Sequence, residues 1–269
     1  MMIEARNITL DLADMNRPVL IGRRPKLRIL KPLSLSIAKG ETVGIVGESG
    51  SGKTSLGRTL IRLYKPSGGE LLFDGQDITH LDAAAMKPLR RRMQMIFQDP
   101  QSSLNPRRTV GSILTGALTL HGLDASPAAI GSILEHVGLP SSARDRYPHQ
   151  LSGGQRQRVG IARAIALKPD FVVADEIVSG LDVSTQAQVL DLLKRLKAEM
   201  GLTLAFISHD LSVVRHLCER VVIMQAGEIV EEGKTAEVFA APRTAFTRLL
   251  IDSIPLPEVR PGWLERTAD

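Results

Sequence analysis

The chain has 269 residues, a length typical of one large domain or two small ones. Hydrophobic residues make up 43% and charged residues 23%, so the chain should fold around a core rather than stay disordered. The formal net charge of +5 comes from scattered basic residues, so charge alone does not indicate nucleic-acid binding. One cysteine, Cys218, excludes a disulfide framework and a cysteine-ligated zinc or iron–sulfur site within the chain.

The sequence carries no sign of membrane insertion or secretion. No apolar run approaches the ~18–20 residues of a membrane-spanning helix. The first residues also lack the basic and then apolar order of a secretory signal. We therefore expect a cytosolic protein, or one that is peripheral on the cytosolic side of a membrane.

The first part of the chain predicts short β segments. Residues 28–37 alternate partly between apolar and polar side chains, as a half-buried strand does. Residues 42–46 form a short apolar run with β-branched members, which predicts a buried strand. A helix should follow over residues 53–63, and residues 70–75 should form a strand that ends in a turn.

The strongest motif lies between the predicted buried strand and the helix that follows it. Its sequence, Gly-Glu-Ser-Gly-Ser-Gly-Lys-Thr, matches the phosphate-binding pattern G-x-x-x-x-G-K-S/T in full. Glycines let backbone N–H groups turn inward around a phosphate, and the helix start adds its dipole. In this motif Lys53 should reach the β- and γ-phosphates, and Thr54 should ligate Mg²⁺. The candidate nucleotide-binding residues are Gly47, Glu48, Ser49, Gly50, Ser51, Gly52, Lys53 and Thr54.

The middle of the chain predicts a small helical subdomain, because short helix-like pieces at 110–120 and 128–137 are broken by Gly and Pro. Strands and helices alternate after it, which predicts a mostly parallel α/β sheet. The expected helices are 155–167, 184–200 and 211–218, the expected strands are 171–174 and 202–207, and a hairpin should join 220–224 to 228–231.

A second candidate site follows the apolar run at 171–174, which ends in Asp175 and Glu176. Ligands of open α/β sheets bind at the carboxyl ends of the strands. There Asp175 would hold Mg²⁺ directly or through water, and Glu176 could polarise an attacking water. Two acids at a strand end are by themselves more often simply solvated. Beside a complete phosphate-binding motif they favour a catalytic site.

A third candidate site is a second anion-binding helix start, in Leu-Ser-Gly-Gly-Gln at 151–155. One nucleotide cannot easily occupy both helix starts within a compact domain. A second copy of the chain, or a paralogue, could bring this segment to the first copy's phosphate loop. In isolation an ordinary capped helix would be the favoured interpretation. The candidate residues are Ser152, Gly153, Gly154 and Gln155.

Together these motifs resemble those of ABC-type ATPase cassettes, in order and in rough spacing. Residues 47–54 match Walker A, 151–155 the LSGGQ signature and 171–176 Walker B. Gln98 stands where the Q-loop glutamine is expected, 179–182 resemble the D-loop, and His209 resembles the switch histidine. The resemblance covers about residues 3–235. It implies an α/β P-loop NTPase fold: a RecA-like parallel sheet core, an N-terminal antiparallel β subdomain and an inserted helical subdomain.

The resemblance also implies an ATPase that binds ATP and Mg²⁺ in a head-to-tail dimer. Ser152 and Gly154 would contact the γ-phosphate bound by the partner chain. ATP binding would close the dimer, and hydrolysis with product release would reopen it. The implied catalytic residues are Glu176, His209 and Gln98, and the implied Mg²⁺ ligands are Thr54, Gln98 and Asp175.

Two segments indicate which branch of this family the chain resembles. Residues 98–110, and 241–250 with 254–257, are similar to elements of the peptide and nickel importers. They imply an importer for peptides, nickel or a nickel chelate. The implied partners are transmembrane permease subunits, a second ATPase subunit (self or paralogue) and, indirectly, a solute-binding protein, but no nucleic acid. The implied location is peripheral, on the cytoplasmic face of the bacterial inner membrane.

This resemblance divides the chain into an ATPase domain and a tail. The domain would span 1–240, with the helical subdomain at about 104–160 inside it, and the tail would span 241–269. In the tail Phe246 stands where the branch has Tyr, which keeps the ring and loses the hydroxyl. Ile177 stands where the branch commonly has Pro, a weak hint of nickel because some nickel-type members also lack that Pro.

A further departure concerns adenine. The family usually stacks adenine on an aromatic residue upstream of the P-loop, but here no Phe, Tyr or Trp precedes Tyr64. The equivalent stretch, roughly 9–16, has only aliphatic and polar residues. We therefore expect weak discrimination between ATP and GTP.

Other ABC-type assemblies remain as alternatives. A soluble ATPase of a non-transport complex, such as phosphonate cleavage, resembles the peptide branch, and recovery with membranes would distinguish the importer from it. DNA-repair and chromosome-structure ATPases carry long insertions between Walker A and the signature, where only about a hundred residues lie here. Translation-type factors hold two cassettes in one chain, and this chain has one motif set.

Overall fold

The computed structural model describes residues 1–14 and 25–254. Its strands are β1 (Ile3–Ala13), β2 (Lys26–Ile37), β3 (Thr42–Val46), β4 (Gly68–Phe73), β5 (Gln76–Asp77), β6 (Met93–Ile96), β7 (Phe171–Asp175), β8 (Thr203–Ile207), β9 (Arg220–Gln225) and β10 (Glu228–Lys234). Its helices are α1 (Lys53–Leu60), α2 (Ala83–Arg92), α3 (Pro100–Ser103), α4 (Val110–Leu120), α5 (Pro127–His136), α6 (Gly153–Ile165), α7 (Val183–Met200), α8 (Leu211–Leu217), α9 (Thr235–Ala240) and α10 (Ala245–Asp252). Short 3₁₀ turns span Ser141–Asp145 and Pro148–Gln150.

The larger sheet has the strand order β10-β9-β3-β8-β7-β6. The neighbours from β9 to β6 are parallel, and only the edge strand β10 is antiparallel. Every residue of β3, β7 and β8 is buried, as expected for parallel strands covered on both faces. The predicted α/β class with a mostly parallel sheet is confirmed.

The smaller sheet has the order β2-β1-β4-β5 and is antiparallel throughout. Its buried side chains, among them Ile3, Ile8 and Leu30, share one core with α1 and with β3. Because this core joins the two sheets around α1, it fixes the start of α1 relative to the carboxyl end of β3. The expected antiparallel subdomain at the N-terminus is therefore present, and it supports the phosphate-binding segment from one side.

The helical region between β6 and β7 contains two well-capped helices, α4 and α5. The Thr109 hydroxyl accepts from Ser112 N at 3.3 Å to start α4, and Ser126 caps α5 with Pro127 in its first turn. Leu114 and Leu134 are fully buried where these helices pack against α6. The helix pieces expected at 110–120 and 128–137 therefore match, within about one residue at each end.

Two elements before this region were not predicted. The α2 segment contains Pro88, a residue that argues against a helix interior, yet Asp82 caps the helix through Ala85 N at 2.8 Å. The β6 segment has four residues, too few for alternation to be visible. Its pairing with β7 nevertheless defines the sheet edge from which Gln98 departs.

The chain after β10 folds back onto the larger hydrophobic core. The Glu231 carboxylate accepts from Arg243 N at 2.9 Å and from Thr244 N at 3.0 Å, just before α10. Phe246 and Leu250 of α10 pack against the larger core. Residues 255–257 of the expected tail element, and residues 15–16 of the stretch compared for adenine, lie outside the described residues.

None of the helices within 1–14 and 25–254 combines the length and the apolar character that crossing a membrane requires.

Candidate active site

The predicted phosphate-binding segment, residues 47–54, connects the end of β3 to the start of α1. Gly47, Gly50 and Gly52 have φ values of 153°, 79° and 99°, which L side chains rarely adopt. At Gly47 an added Cβ would lie 2.1 Å from the Met224 carbonyl oxygen. The loop therefore needs glycine both for its backbone conformation and for its close approach to β9.

The Lys53 side chain folds back into this loop. Its Nζ donates to the carbonyl oxygens of Gly47 at 2.8 Å and Glu48 at 2.7 Å, and the residue is 5% exposed. Burial lowers the pKa of the Lys53 ammonium, while the nearby carboxylates of Glu176 and Asp175 favour its charged form. The loop thus holds the Lys53 ammonium by two backbone carbonyls, which places a positive charge where a polyphosphate could bind.

Thr54 and Asp175 meet at the end of β7. The Thr54 hydroxyl donates to Asp175 Oδ1 at 2.9 Å, although 121 residues separate the two in sequence. Burial raises the pKa of the Asp175 carboxyl, and the charge of Glu176 adds to this, while the Thr54 hydrogen bond opposes it. The buried carboxylate lies next to a hydroxyl oxygen at the start of the P-loop helix.

These two oxygens fit the ligand preference of Mg²⁺, which binds through one or two carboxylates together with substrate phosphates and water. Within the described ranges, no three His, Cys, Asp or Glu side chains gather into a metal site of their own. A cation at Thr54 and Asp175 would take its remaining ligands from phosphate oxygens and water.

Glu176 has a strained backbone. Its φ is 46°, in the left-handed region that non-glycine residues seldom adopt. Its backbone N–H donates to the Ile207 carbonyl of β8 at 2.9 Å, and the next residue, Ile177, is 1% exposed. The surrounding fold therefore fixes the backbone of Glu176 at the end of β7, and with it the direction in which the side chain leaves the sheet.

Gln98 and His209 both contact this carboxylate. Gln98 Nε2 donates to Glu176 Oε2 at 2.9 Å, and His209 Nδ1 lies 3.5 Å from the same oxygen. A cleft of about 130 Å³ adjoins Glu176 and His209. The carboxylate of Glu176 therefore lies beside the cleft, where it could accept a proton from a water molecule. The three expected catalytic residues therefore meet at one point.

The signature segment forms a capping box at the start of α6. The Ser152 hydroxyl accepts from Gln155 N at 3.2 Å, and Gln155 Oε1 accepts from Ser152 N at 3.0 Å. At Gly154 an added Cβ would lie 2.5 Å from Thr185 Cγ2. Glycine at this position therefore allows the signature helix to pack against the start of α7.

The D-loop ends at Asp182, which caps α7 and so supports the contact between Gly154 and Thr185. Asp182 Oδ1 accepts from Thr185 N at 2.9 Å, and Oδ2 accepts from the Thr185 hydroxyl at 2.8 Å. The Thr185 N–H, with the hydroxyls of Ser184 and Thr185, lowers the pKa of the Asp182 carboxyl. The D-loop and the signature segment thus form one local unit.

This unit lies apart from the phosphate loop in the hydrogen-bond network. Among the described residues, no hydrogen bond or ion pair joins 151–155 to 47–54. One chain therefore brings together the P-loop, Asp175, Glu176, Gln98 and His209, but not the signature segment.

Two supporting residues could not be recognised in the sequence. The Ile207 carbonyl holds the Glu176 backbone, and Thr185 faces Gly154 across the helix contact. Both act through long-range contacts between ordinary strand and helix positions. No local pattern marks such residues.

Comparison with known proteins identifies the family. The family model described as ABC transporter matches residues 30–179. A protein of Brucella ovis, named as a peptide import ATP-binding protein, is 50% identical over 239 residues, which cover 88% of this chain and 75% of that protein. The oligopeptide transport ATP-binding protein AppF of Bacillus subtilis is 49% identical over 232 residues, covering 85% of this chain and 70% of AppF.

Among solved structures, a dimer of the ATP-binding cassette MJ0796 bound to ADP and Pi superposes with a TM-score of 0.76 at 30% identity. The match covers 87% of this chain and 99% of that one. The nucleotide-binding motifs of the sequence, the two-sheet architecture and these matches agree. The chain therefore belongs to the ABC transporter family, as an ATP-binding cassette that hydrolyses ATP.

Proposed function

We propose that this chain is the ATPase subunit of a membrane importer, and that ATP closes it head to tail against a second ATPase subunit. The observation that carries the proposal is the split site. One chain assembles Glu176, Gln98 and His209 beside the P-loop, while its signature helix start forms no hydrogen bond or ion pair with that loop. A second subunit would complete each site by supplying a signature segment.

The residues of the site then take distinct roles. The backbone of 47–54 and Lys53 bind the phosphates, and Thr54 and Asp175 hold Mg²⁺, with Gln98 as a further contact. Bound Mg²⁺ would neutralise charge on the β- and γ-phosphates. Glu176 orients the attacking water and takes its proton, and His209 contacts the γ-phosphate.

The partner chain would supply Ser152, Gly153, Gly154 and Gln155. The capped start of α6 presents backbone N–H groups in the first turn of a helix, where anions bind favourably. The MJ0796 cassette, similar in fold and 30% identical, has been solved as a dimer with ADP and Pi. This supports a dimer here, with a second copy or a paralogue as the partner.

The permease subunits would dock in a groove between β6 and the helical subdomain. This groove, of about 530 Å³, is lined mainly by apolar side chains that include Met95, Phe97 and the 66% exposed Leu120. Its charged lining is basic, with Arg90 and Arg163 and no Asp or Glu among the described residues. Phe97 precedes Gln98, so a segment docked here would lie next to a residue that touches Glu176.

Peptides are the substrate class that the relatives favour, because the Brucella ovis and Bacillus subtilis proteins are named for peptide or oligopeptide transport. The proposal also divides the chain into an ATPase domain that ends at residue 240 and a tail at 241–269. The subunit would attach peripherally to the cytoplasmic face of the membrane. Nickel or a nickel chelate is the alternative cargo. Ile177, which stands where the peptide and nickel branch commonly has Pro, is the residue that hints at nickel.

Uptake measurements test the proposed function. In cells that lack this gene, we expect lower uptake of a labelled di- or oligopeptide and unchanged uptake of labelled nickel. The wild-type gene should restore peptide uptake, and Lys53→Ala should not, because uptake depends on nucleotide binding. Lys87→Ala, which changes an exposed lysine of α2, serves as the matched control and should restore uptake.

Loss of nickel uptake alone would reject the peptide assignment and support the nickel alternative. If neither uptake changed and the protein stayed out of the membrane fraction, the importer proposal would be wrong. The soluble ATPase assembly would then be the better explanation.

The nucleotide site should discriminate only weakly between adenine and guanine. Among the described residues of the stretch compared for adenine, 9–14, none is aromatic. Stacking on an aromatic ring is worth roughly 1–3 kcal/mol per base, so this chain lacks that contribution upstream of its P-loop. We expect the preference for ATP over GTP to be less than about tenfold. Competition between the two nucleotides for the same site measures it, and a strong ATP preference would contradict the expectation.

A further inference from the structure

A stacked pair of rings precedes the signature segment. The rings of Tyr147 and His149 lie 5.5 Å apart between centroids, with their planes 16° from parallel. Tyr147 is 38% exposed, and His149 is exposed as well. We call this pair the Tyr147–His149 platform. It stands at the surface five residues before Ser152.

The chain around the platform is held in one conformation. Tyr147 N donates to Gln150 Oε1 at 2.8 Å, and Gln150 N donates to the Tyr147 carbonyl at 2.9 Å. Pro148, between the two rings, is buried. The platform is therefore preformed, so a ligand that stacks on it would not have to order it first.

Among the aromatic residues of the described ranges, Tyr147 is the one with an exposed side chain. The others are buried or half-buried against neighbours: Phe73, Phe171 and Phe206 in the core, Tyr64 beside Arg58, Phe97 beside Arg163, Phe239 beside Arg215, and Phe246 against the larger core. No aromatic residue precedes Tyr64 in the sequence. Within residues 1–14 and 25–254, the base would therefore find no exposed aromatic ring on the side of its own P-loop.

We propose that the Tyr147–His149 platform stacks on the base of the nucleotide bound by the other chain of the dimer. This inference rests on the proposed head-to-tail closure, with a second copy of this chain as the partner. Closure carries the start of α6 to the partner's γ-phosphate, and the platform travels with it. Five residues span at most about 18 Å, and the 3₁₀ turn shortens that distance, so the platform stays within reach of the same nucleotide. Stacking on a ring tolerates every base, which agrees with the weak preference expected for ATP over GTP.

The test follows dimer formation in the Glu176→Gln background, where slow hydrolysis keeps the nucleotide intact. Sedimentation measures the nucleotide concentration at half-dimerisation. We expect Tyr147→Ala and Tyr147→Leu to raise this midpoint by roughly five- to a hundredfold, for ATP and GTP alike. Tyr147→Phe keeps the ring and should restore the midpoint. Leu249→Ala, which removes an exposed apolar side chain of α10, is the matched control. Thermal melting checks that each variant is folded.

The direct nucleotide affinity of dilute, monomeric protein separates a contact across the dimer from one within the chain. It should not change in Tyr147→Ala. An equal loss in the monomer would overturn the proposal, and so would an unchanged midpoint in the dimer. If the Glu176→Gln parent never dimerised with ATP, the proposed closure itself would be wrong, a failure distinct from that of the platform.

Discussion

Replacement of Glu176 by glutamine should leave ATP binding intact and slow ATP hydrolysis by roughly 10²–10⁴-fold, the usual contribution of a positioned general base. The amide keeps the size of the carboxylate and can still contact Gln98, whose Nε2 lies 2.9 Å from Glu176 Oε2. It cannot take a proton from water. Because the strained backbone of Glu176 is held by the Ile207 carbonyl and by the buried Ile177, the variant should keep the local structure.

Phosphate release measures the turnover of this variant, and a fluorescent nucleotide measures its binding. Glu237→Gln provides the matched control, since Glu237 is an exposed carboxylate of α9. The control should hydrolyse ATP at the wild-type rate. Near-normal turnover in Glu176→Gln would reject Glu176 as the group that activates the water.

Replacement of Lys53 by alanine should weaken ATP binding by roughly tenfold to a hundredfold, because a charged hydrogen bond is worth about 1.5–3 kcal/mol. The variant also removes the donor that bridges the Gly47 and Glu48 carbonyls, at 2.8 and 2.7 Å. The loop then loses both the buried positive charge of Lys53 and two internal hydrogen bonds. ATP hydrolysis should fall with binding, because the γ-phosphate is no longer held in place.

Titration calorimetry with ATP measures the effect, and Lys87→Ala again serves as the matched control. A melting curve close to that of the wild type would show that Lys53→Ala is folded. Unchanged ATP affinity in the folded variant would contradict the role proposed for Lys53.

Much of the site could be predicted because its parts are local. The pattern at 47–54 needs only a strand, a tight turn and a helix, and all three form where they were expected. Asp175 and Glu176 follow directly from the buried run of β7. Ser152 and Gln155 are three residues apart, so their capping box is visible in the sequence itself.

Contacts between distant segments could not be predicted from residue patterns. Gln98 and Glu176 are 78 residues apart and meet only because β6 pairs with β7 at the edge of the sheet. The β6 strand itself was missed, since four residues are too few to show a period. The resemblance to a family supplied Gln98 and His209 as candidates, but nothing in their surroundings did.

The sequence by itself determined the family, the phosphate loop, the paired acids and the signature helix start, because short-range geometry and hydrogen bonding define each of them. Only the tertiary structure decided that Gln98 and His209 share one oxygen of Glu176 and that Gly154 packs against Thr185. It also decided that Glu231 fastens the start of α10 to β10. These contacts depend on the order of strands in the sheet and on the packing of helices across it, and no local pattern encodes either.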